Sequence, residues 1–121
     1  MAVSPNNRLA DLTNALIAKT DDGTINWDKT SIQGLYSSNL GSYVVNIDQI
    51  SDGVNVPDYR ISLYNQFGDF IESYKDTDLS GLRAHGYDGF FAAMESLYHT
   101  AARQASGADK AIDDIIRFLN S

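Results

Sequence analysis

The stretch from Tyr59 to Tyr74, YRISLYNQFGDFIESY, constrains the fold more than any other part of the sequence. Ile61 and Leu63 alternate cleanly with Arg60 and Ser62 before a short turn, and a second run with Phe70 and Ile71 follows it, as in two β-strands joined in a hairpin. Asn65 and Gly68 stand at the first and fourth positions of that turn, where type I geometry followed by a left-handed glycine closes a three-residue loop. The sequence therefore predicts an antiparallel hairpin that turns between these two residues.

The length of this loop sets the pairing of the two strands, because a slip of one residue would reverse every side chain. A three-residue loop places Tyr64 opposite Phe70 and Leu63 opposite Ile71. The predicted core face then carries Tyr59, Ile61, Leu63 and Ile71. The opposite face carries the residues that we expect to form an interface, namely Arg60, Tyr64, Phe70, Glu72 and Tyr74. Two interpretations stay open for it: aromatic pairs that stabilise a wet sheet, or a surface for self-association or a partner.

Further strands precede the hairpin. Within residues 42–50 an alternation of Tyr43, Val45 and Ile47 with the residues between them is typical of a half-buried strand. Residues 35–38 form its partner across the segment Asn39-Leu40-Gly41. For residues 28–34 a loop and an irregular edge strand remain alternatives, and a fifth short strand at Trp27 is a further option. Short connections between successive strands favour an antiparallel meander.

Helical spacing of apolar residues marks both ends of the chain. One apolar stripe runs through residues 7–19, and a broader one follows Asp88, which can cap a helix over residues 90–105. Gly107 interrupts the pattern, and a last helix then carries Ile112, Ile115, Ile116 and Leu119 on one side. The sequence predicts an α+β fold of order α-β-β-β-β-α-α, in which four or five antiparallel strands pack against N- and C-terminal helices. We expect one domain over residues 1–121.

Composition excludes several function classes. The chain has no cysteine, which rules out disulfides and thiolate chemistry. The formal net charge is −7, and Asp supplies 14 of the 16 acidic residues, so nucleic acid is a poor partner and a basic protein a better one. No apolar run is long enough to span a membrane, and the first residues lack the apolar segment of a signal peptide. We therefore expect no nucleic acid, no membrane and a cytoplasmic location.

Candidate catalytic and metal-binding residues are few. His85 lies in a polar, glycine-rich loop near Asp78, Arg83 and Asp88, and is the weak candidate for a general base in a hydrolase-like enzyme. His99 follows Glu95 by four residues, but no third metal ligand accompanies them. The sequence predicts no metal site and no cofactor, and whether the chain is an enzyme stays open.

Aromatic residues give a second hypothesis. A pocket between the sheet and the terminal helices would be lined by Trp27, Tyr43, Phe91 and Tyr98 and would bind a small molecule. The alternative for Trp27, the single tryptophan, is a place in the core.

Three segments carry a resemblance to known proteins: GTINW after the first helix, YRISLYNQFGDFIES in the sheet, and LYHTAARQASGADKAIDDII at the end. Together they resemble a loose group of small bacterial proteins of unknown function, of the kind found as mobile gene-cassette products of integrons. The resemblance implies an accessory role in a bacterial cytoplasm, and it brings no catalytic residues.

The sequence thus favours a non-enzymatic, acidic binding module that associates with itself, as a homodimer, or with a basic protein. Small-molecule binding in the aromatic pocket is the alternative, and hydrolysis through His85 comes third.

Overall fold

The computed structural model describes residues 5–121, the side chain of Pro5 excepted. These residues form a 3₁₀ turn at Asp76–Leu79 and the following elements: α1 (Pro5–Asp21), β1 (Asp28–Lys29), β2 (Tyr36–Leu40), β3 (Tyr43–Ile50), β4 (Asp58–Asn65), β5 (Phe70–Lys75), α2 (Phe90–Ser106) and α3 (Ala108–Leu119).

The five strands form one antiparallel sheet in the order β1-β2-β3-β4-β5, so each strand pairs with its neighbour along the chain. This confirms the predicted α+β meander. The fifth strand is the two-residue β1, which lies just after Trp27 and inside the segment whose structure the sequence left open. The two outer strands, β1 and β5, are therefore the edges of the sheet. β1 is very short, and the pairing of β5 with β4 is interrupted by a bulge.

One face of the sheet carries the hydrophobic core, and α1 and α2 cover it. The hydroxyl of Thr13 in α1 lies 2.7 Å from that of Tyr74 in β5. The Tyr98 ring of α2 packs at 5.5 Å from Tyr36 and 5.4 Å from Tyr59, measured between ring centroids. Trp27 is 1% exposed, and its indole nitrogen donates to the Thr20 hydroxyl. The core alternative for Trp27 is therefore the one that the structure adopts.

The hairpin turn between β4 and β5 forms as predicted. Gly68 adopts a left-handed φ of 86°, and its N–H donates to the Asn65 carbonyl. Asn65 and Asp69 pair through a backbone hydrogen bond, and Tyr64 lies opposite Phe70. An L-residue in place of this glycine would be strained, since side chains rarely tolerate that conformation.

Beyond Phe70 the predicted register is wrong. A β-bulge shifts the pairing between Leu63 and Tyr64, so that Leu63 faces Glu72 and Ile61 faces Tyr74. The extra residue is Ile71, which was predicted to join the core and is 48% exposed. A bulge opposes two residues to one, and every later side chain of β5 changes face.

The junction of α2 and α3 lies at Gly107, as predicted. Gly107 has a left-handed φ of 71°, and its N–H donates to the carbonyls of Arg103 and Gln104, which ends α2. The predicted cap at Asp88 is wrong: the N-cap of α2 is Gly89, and no side chain caps that end.

Candidate protein-interaction site

The last helix carries an apolar stripe that the described part of the chain leaves uncovered. Ile112, Ile115, Ile116 and Leu119 follow one another at helical spacing, and Phe118 borders them. These five side chains are 43–77% exposed, and no residue of α3 is buried. The helix contacts the end of α2 and otherwise projects from the body of the domain. We call this surface the α3 stripe.

Charged residues of α3 lie mainly on the side away from the stripe. Lys110 and Arg117 both contact the Asp114 carboxylate, at 2.7 and 3.3 Å. Asp109 pairs with Arg103 of α2 at 2.9 Å. Exposed pairs of this kind stabilise a helix by only a few tenths of a kcal/mol each. A helix of 12 residues without tertiary packing is marginal in water. Contacts made by the stripe would therefore contribute most to its stability.

A second surface that residues 5–121 leave uncovered is the face of the sheet opposite the core, called here the open face. It carries an edge-to-face aromatic pair, Tyr64 and Phe70, with ring centroids 5.7 Å apart. Phe70 is 60% exposed, and Val44 lies opposite Tyr64 on the neighbouring strand. The helices α1 and α2 pack on the other face, so these apolar side chains meet no helix among residues 5–121.

Charges on the open face are paired within it. Arg60 donates two hydrogen bonds to the Asp48 carboxylate, at 2.6 and 3.1 Å. These hydrogen bonds are the main reason that the pKa of Arg60 lies above its ordinary value. Lys75 lies 3.7 Å from Asp58 across the β4–β5 pair. The open face therefore has no net charge from these four residues, although the whole chain is acidic.

A shallow cavity of about 360 Å³ opens on the same face. Its walls include Ile32 from the β1–β2 connection together with Val44, Asn46 and Tyr64 from the sheet. The Asn46 Oδ1 atom is buried here and has no hydrogen-bond partner among residues 5–121. A buried acceptor without a partner costs roughly 1–3 kcal/mol, which makes this the least satisfied polar atom of the surface.

The five residues predicted for an interface divide between two faces. Arg60, Tyr64 and Phe70 lie on the open face as expected. The bulge places Glu72 and Tyr74 on the core side of the sheet, where Glu72 stays exposed at the edge and Tyr74 is 3% exposed. Tyr74 is buried against α1, so its expected place beside Arg60 on an accessible surface is wrong.

The four residues predicted for a small-molecule pocket do not line a shared cavity. Trp27 is buried, whereas Tyr43 is exposed near the other end of the sheet. Phe91 packs at 5.7 Å from Tyr59 and lies beside a separate cavity of about 390 Å³. Tyr98 is held among the core aromatic rings and donates to the Gly34 carbonyl. The four residues therefore lie in different parts of the described structure.

His85 lines an open depression of about 780 Å³, together with Arg83, Tyr87 and Asp88. Its backbone N–H donates to Asn14, whereas its imidazole makes no hydrogen bond or ion pair within the described residues. A general base is oriented by a hydrogen-bond partner, and no described residue supplies one to the His85 ring.

Residues 5–121 contain neither a cluster of metal ligands nor a helix that could span a membrane. No three His, Asp or Glu side chains of this region converge as metal ligands. His99 stacks edge-on against Tyr98 instead of meeting Glu95, whose carboxylate lies 3.4 Å from the Tyr59 hydroxyl. None of the described helices combines the length and apolar character needed to cross a membrane.

One acidic residue is buried apart from these surfaces. Asp76 is 5% exposed and accepts a 2.8 Å hydrogen bond from the Tyr59 N–H. Burial raises the pKa of this carboxyl above its ordinary value, the hydrogen bond from Tyr59 opposes the rise, and nearby Asp58 adds to it. The contact ties the 3₁₀ turn to β4, which is a structural role.

Comparisons with known proteins found no match to any family model, curated protein or solved structure. The function must therefore be argued from the two uncovered surfaces. The sequence signalled both, since the spacing of the α3 stripe and the Tyr64–Phe70 pair are visible in it. It did not signal that α3 would lie away from the core.

Proposed function

We propose that this protein is a self-association module and that the α3 stripe is its contact surface. The observation that carries the proposal is the exposure of five large apolar side chains on one side of a projecting helix. Burying a side chain of this size contributes about 1.5–3 kcal/mol. Exposed patches of this kind mark interaction sites in soluble proteins.

A second copy of the chain is the partner that the two uncovered surfaces favour. Each copy presents one apolar helix stripe and one apolar sheet face, so two copies supply both halves of a contact. The charges near these surfaces are already paired within each copy, as in Lys110–Asp114 and Arg60–Asp48. Such pairs leave little net charge for a basic partner to recognise. The resemblance to integron gene-cassette products adds a setting, that of a small accessory dimer in a bacterial cytoplasm.

Light scattering coupled to size exclusion, at tens of micromolar, tests the proposal. We expect the mass of a dimer for the unmodified chain and that of a monomer for Ile115→Asp, because a carboxylate would be desolvated in the contact. The matched control is Lys110→Gln on the opposite side of α3, which changes the net charge by the same amount. We expect it to remain a dimer.

The effect of added salt on binding distinguishes self-association from the binding of a basic protein. Two copies with a net charge of −7 repel each other at long range, so added salt should leave the dimer intact or tighten it. Added salt would instead weaken a contact between this acidic chain and a basic partner. A monomer at every concentration and salt level would overturn the proposal.

A further inference from the structure

We infer that α3 of each copy lies on the open face of the other copy, so that two copies exchange their last helices. This inference rests on the proposed self-association and names the surface that receives the helix. The simpler alternative is a contact between the two α3 stripes. Buried area, charge and shape distinguish the two arrangements.

Buried area favours the exchange. The five side chains of the α3 stripe expose on the order of 500 Å² of apolar surface. A contact of stripe with stripe would use this surface once in each copy and bury roughly 1,000 Å² in total, at the lower limit of a specific interface. A reciprocal exchange makes two helix–sheet contacts and buries about 2,000 Å², as stable dimers do. It also closes the assembly, because a one-sided contact would propagate into a filament.

Charge along the stripe gives a second argument. Asp109 and Asp113 form one border of the stripe, and Ala111 and Phe118 form the other. When the stripes of two copies pack together about a two-fold axis, the acidic border of one copy lies beside either the acidic or the apolar border of the other copy. Neither arrangement supplies a positive charge.

The open face instead places two cationic side chains beside its apolar centre, each of them paired with a carboxylate of the same face. The side chains of Arg60 and Lys75 remain 42% and 44% exposed despite their ion pairs. The acidic border of α3 can therefore approach them while the stripe covers Tyr64 and Phe70. Charge complementarity of this kind sets the orientation of a contact more than its strength.

Shape gives a third argument. A helix of 12 residues is about 18 Å long, and strands of eight residues such as β3 and β4 extend about 27 Å. The helix can thus lie within the length of the two central strands. The open-face cavity of about 360 Å³ beside Tyr64 offers a place for an aromatic side chain. Phe118, the most exposed apolar residue of α3, would fit there.

Engineered disulfides test the exchange cleanly, because the chain has no cysteine of its own. Ile115→Cys places a thiol on the stripe, and Ser73→Cys places one at an exposed position of the open face, beside Ser62. The control, Asp11→Cys, lies at an exposed position of α1 on the covered side of the sheet. Two single-cysteine variants are mixed, oxidised, and analysed by mass spectrometry of the linked peptides.

We expect Ile115→Cys to link to Ser73→Cys at least tenfold more than to Asp11→Cys. Self-linkage of Ile115→Cys in an intact dimer would show contact between the stripes and would overturn the exchange while preserving the proposed function. A dimer that links to neither test position would also overturn it. A monomeric mass in light scattering would instead overturn the proposed self-association itself.

Discussion

The hydroxyl of Tyr74 lies 2.7 Å from the hydroxyl of Thr13, which is 61 residues earlier in the chain. Thr13 donates its own proton to the Leu9 carbonyl at 2.8 Å, so Tyr74 is the donor between the two hydroxyls. The contact joins α1 to the edge strand β5 inside the core. It exists because the bulge at Ile71 turns Tyr74 inward.

We expect Tyr74→Phe to lower the free energy of unfolding by about 1 kcal/mol, because the ring stays packed while one buried hydrogen bond is lost. Urea denaturation followed by circular dichroism measures this loss. Tyr43→Phe is the matched control: Tyr43 is exposed, and its hydroxyl makes no hydrogen bond within the described residues, so we expect less than about 0.5 kcal/mol. Equal losses in the two variants would contradict a stabilising role for the Tyr74 hydroxyl.

The hairpin shows which part of the fold the sequence could predict. The turn depends on local chemistry at Asn65 and Gly68, and local chemistry is visible in a single sequence. The bulge depends on tertiary packing, since it turns Tyr74 toward α1 and leaves Ile71 at the exposed edge. The three-residue loop placed Ile71 opposite Leu63, and the apolar character of isoleucine agreed with a place in the core.

The candidate site was predictable to a similar degree. The spacing of Ile112, Ile115 and Ile116 identified an amphipathic helix, and Gly107 identified the break before it. Periodicity does not state what an apolar stripe packs against. The position of α3 outside the core depends on the left-handed turn at Gly107 and on a core that α1 and α2 already fill.

Asp76 leads to a prediction about pH. Burial raises its folded-state pKa above the unfolded value of about 3.9, so the folded protein holds this proton more tightly than the unfolded chain does. The resulting stabilisation is complete below about pH 4 and is lost as the pH rises through the folded-state pKa. We expect Asp76→Asn, which retains an acceptor for the Tyr59 N–H, to abolish this decline. Unfolding free energies measured between pH 4 and pH 7 test it.

Two further variants make the Asp76 measurement specific. Asp11→Asn removes the same charge from an exposed position of α1, outside the proposed contact, and controls for net charge. Asp76→Ala removes the acceptor as well, and we expect it to cost roughly 1–3 kcal/mol because the Tyr59 N–H is left unpaired. An Asp76→Asn protein with an unchanged decline would assign the pH dependence to another group.

The open face leads to a prediction about assembly. We expect replacement of both Tyr64 and Phe70 by Ser to weaken dimerisation at least tenfold, since the proposed exchange would bury both rings under α3. Sedimentation equilibrium measures the dissociation constant, and circular dichroism verifies that the monomer remains folded. Phe67→Ser is the control because Phe67, at the tip of the turn, is an aromatic residue even more exposed than Phe70. If the double replacement of Tyr64 and Phe70 leaves the dissociation constant as unchanged as Phe67→Ser does, the open face is not the interface of the dimer.

Gly107 controls the direction of α3, and its replacement should separate folding from assembly. Its φ of 71° is unfavourable for an L-residue by about 1–2 kcal/mol, and an added Cβ would meet no atom within 4 Å. We therefore expect Gly107→Ala to relieve backbone strain by joining α2 and α3 into one continuous helix. The stripe would then point in a new direction, so helicity would be kept while the dimer is weakened.

The matched control for Gly107→Ala is Gly89→Ala at the other end of α2. Gly89 has an extended φ of 177°, which any residue adopts, and its added Cβ also meets open space. We expect the Gly89 variant to dimerise like the unmodified chain, because only a left-handed position redirects the helix that follows it. Dimerisation that is equally strong in both variants would mean that the direction of α3 does not govern assembly.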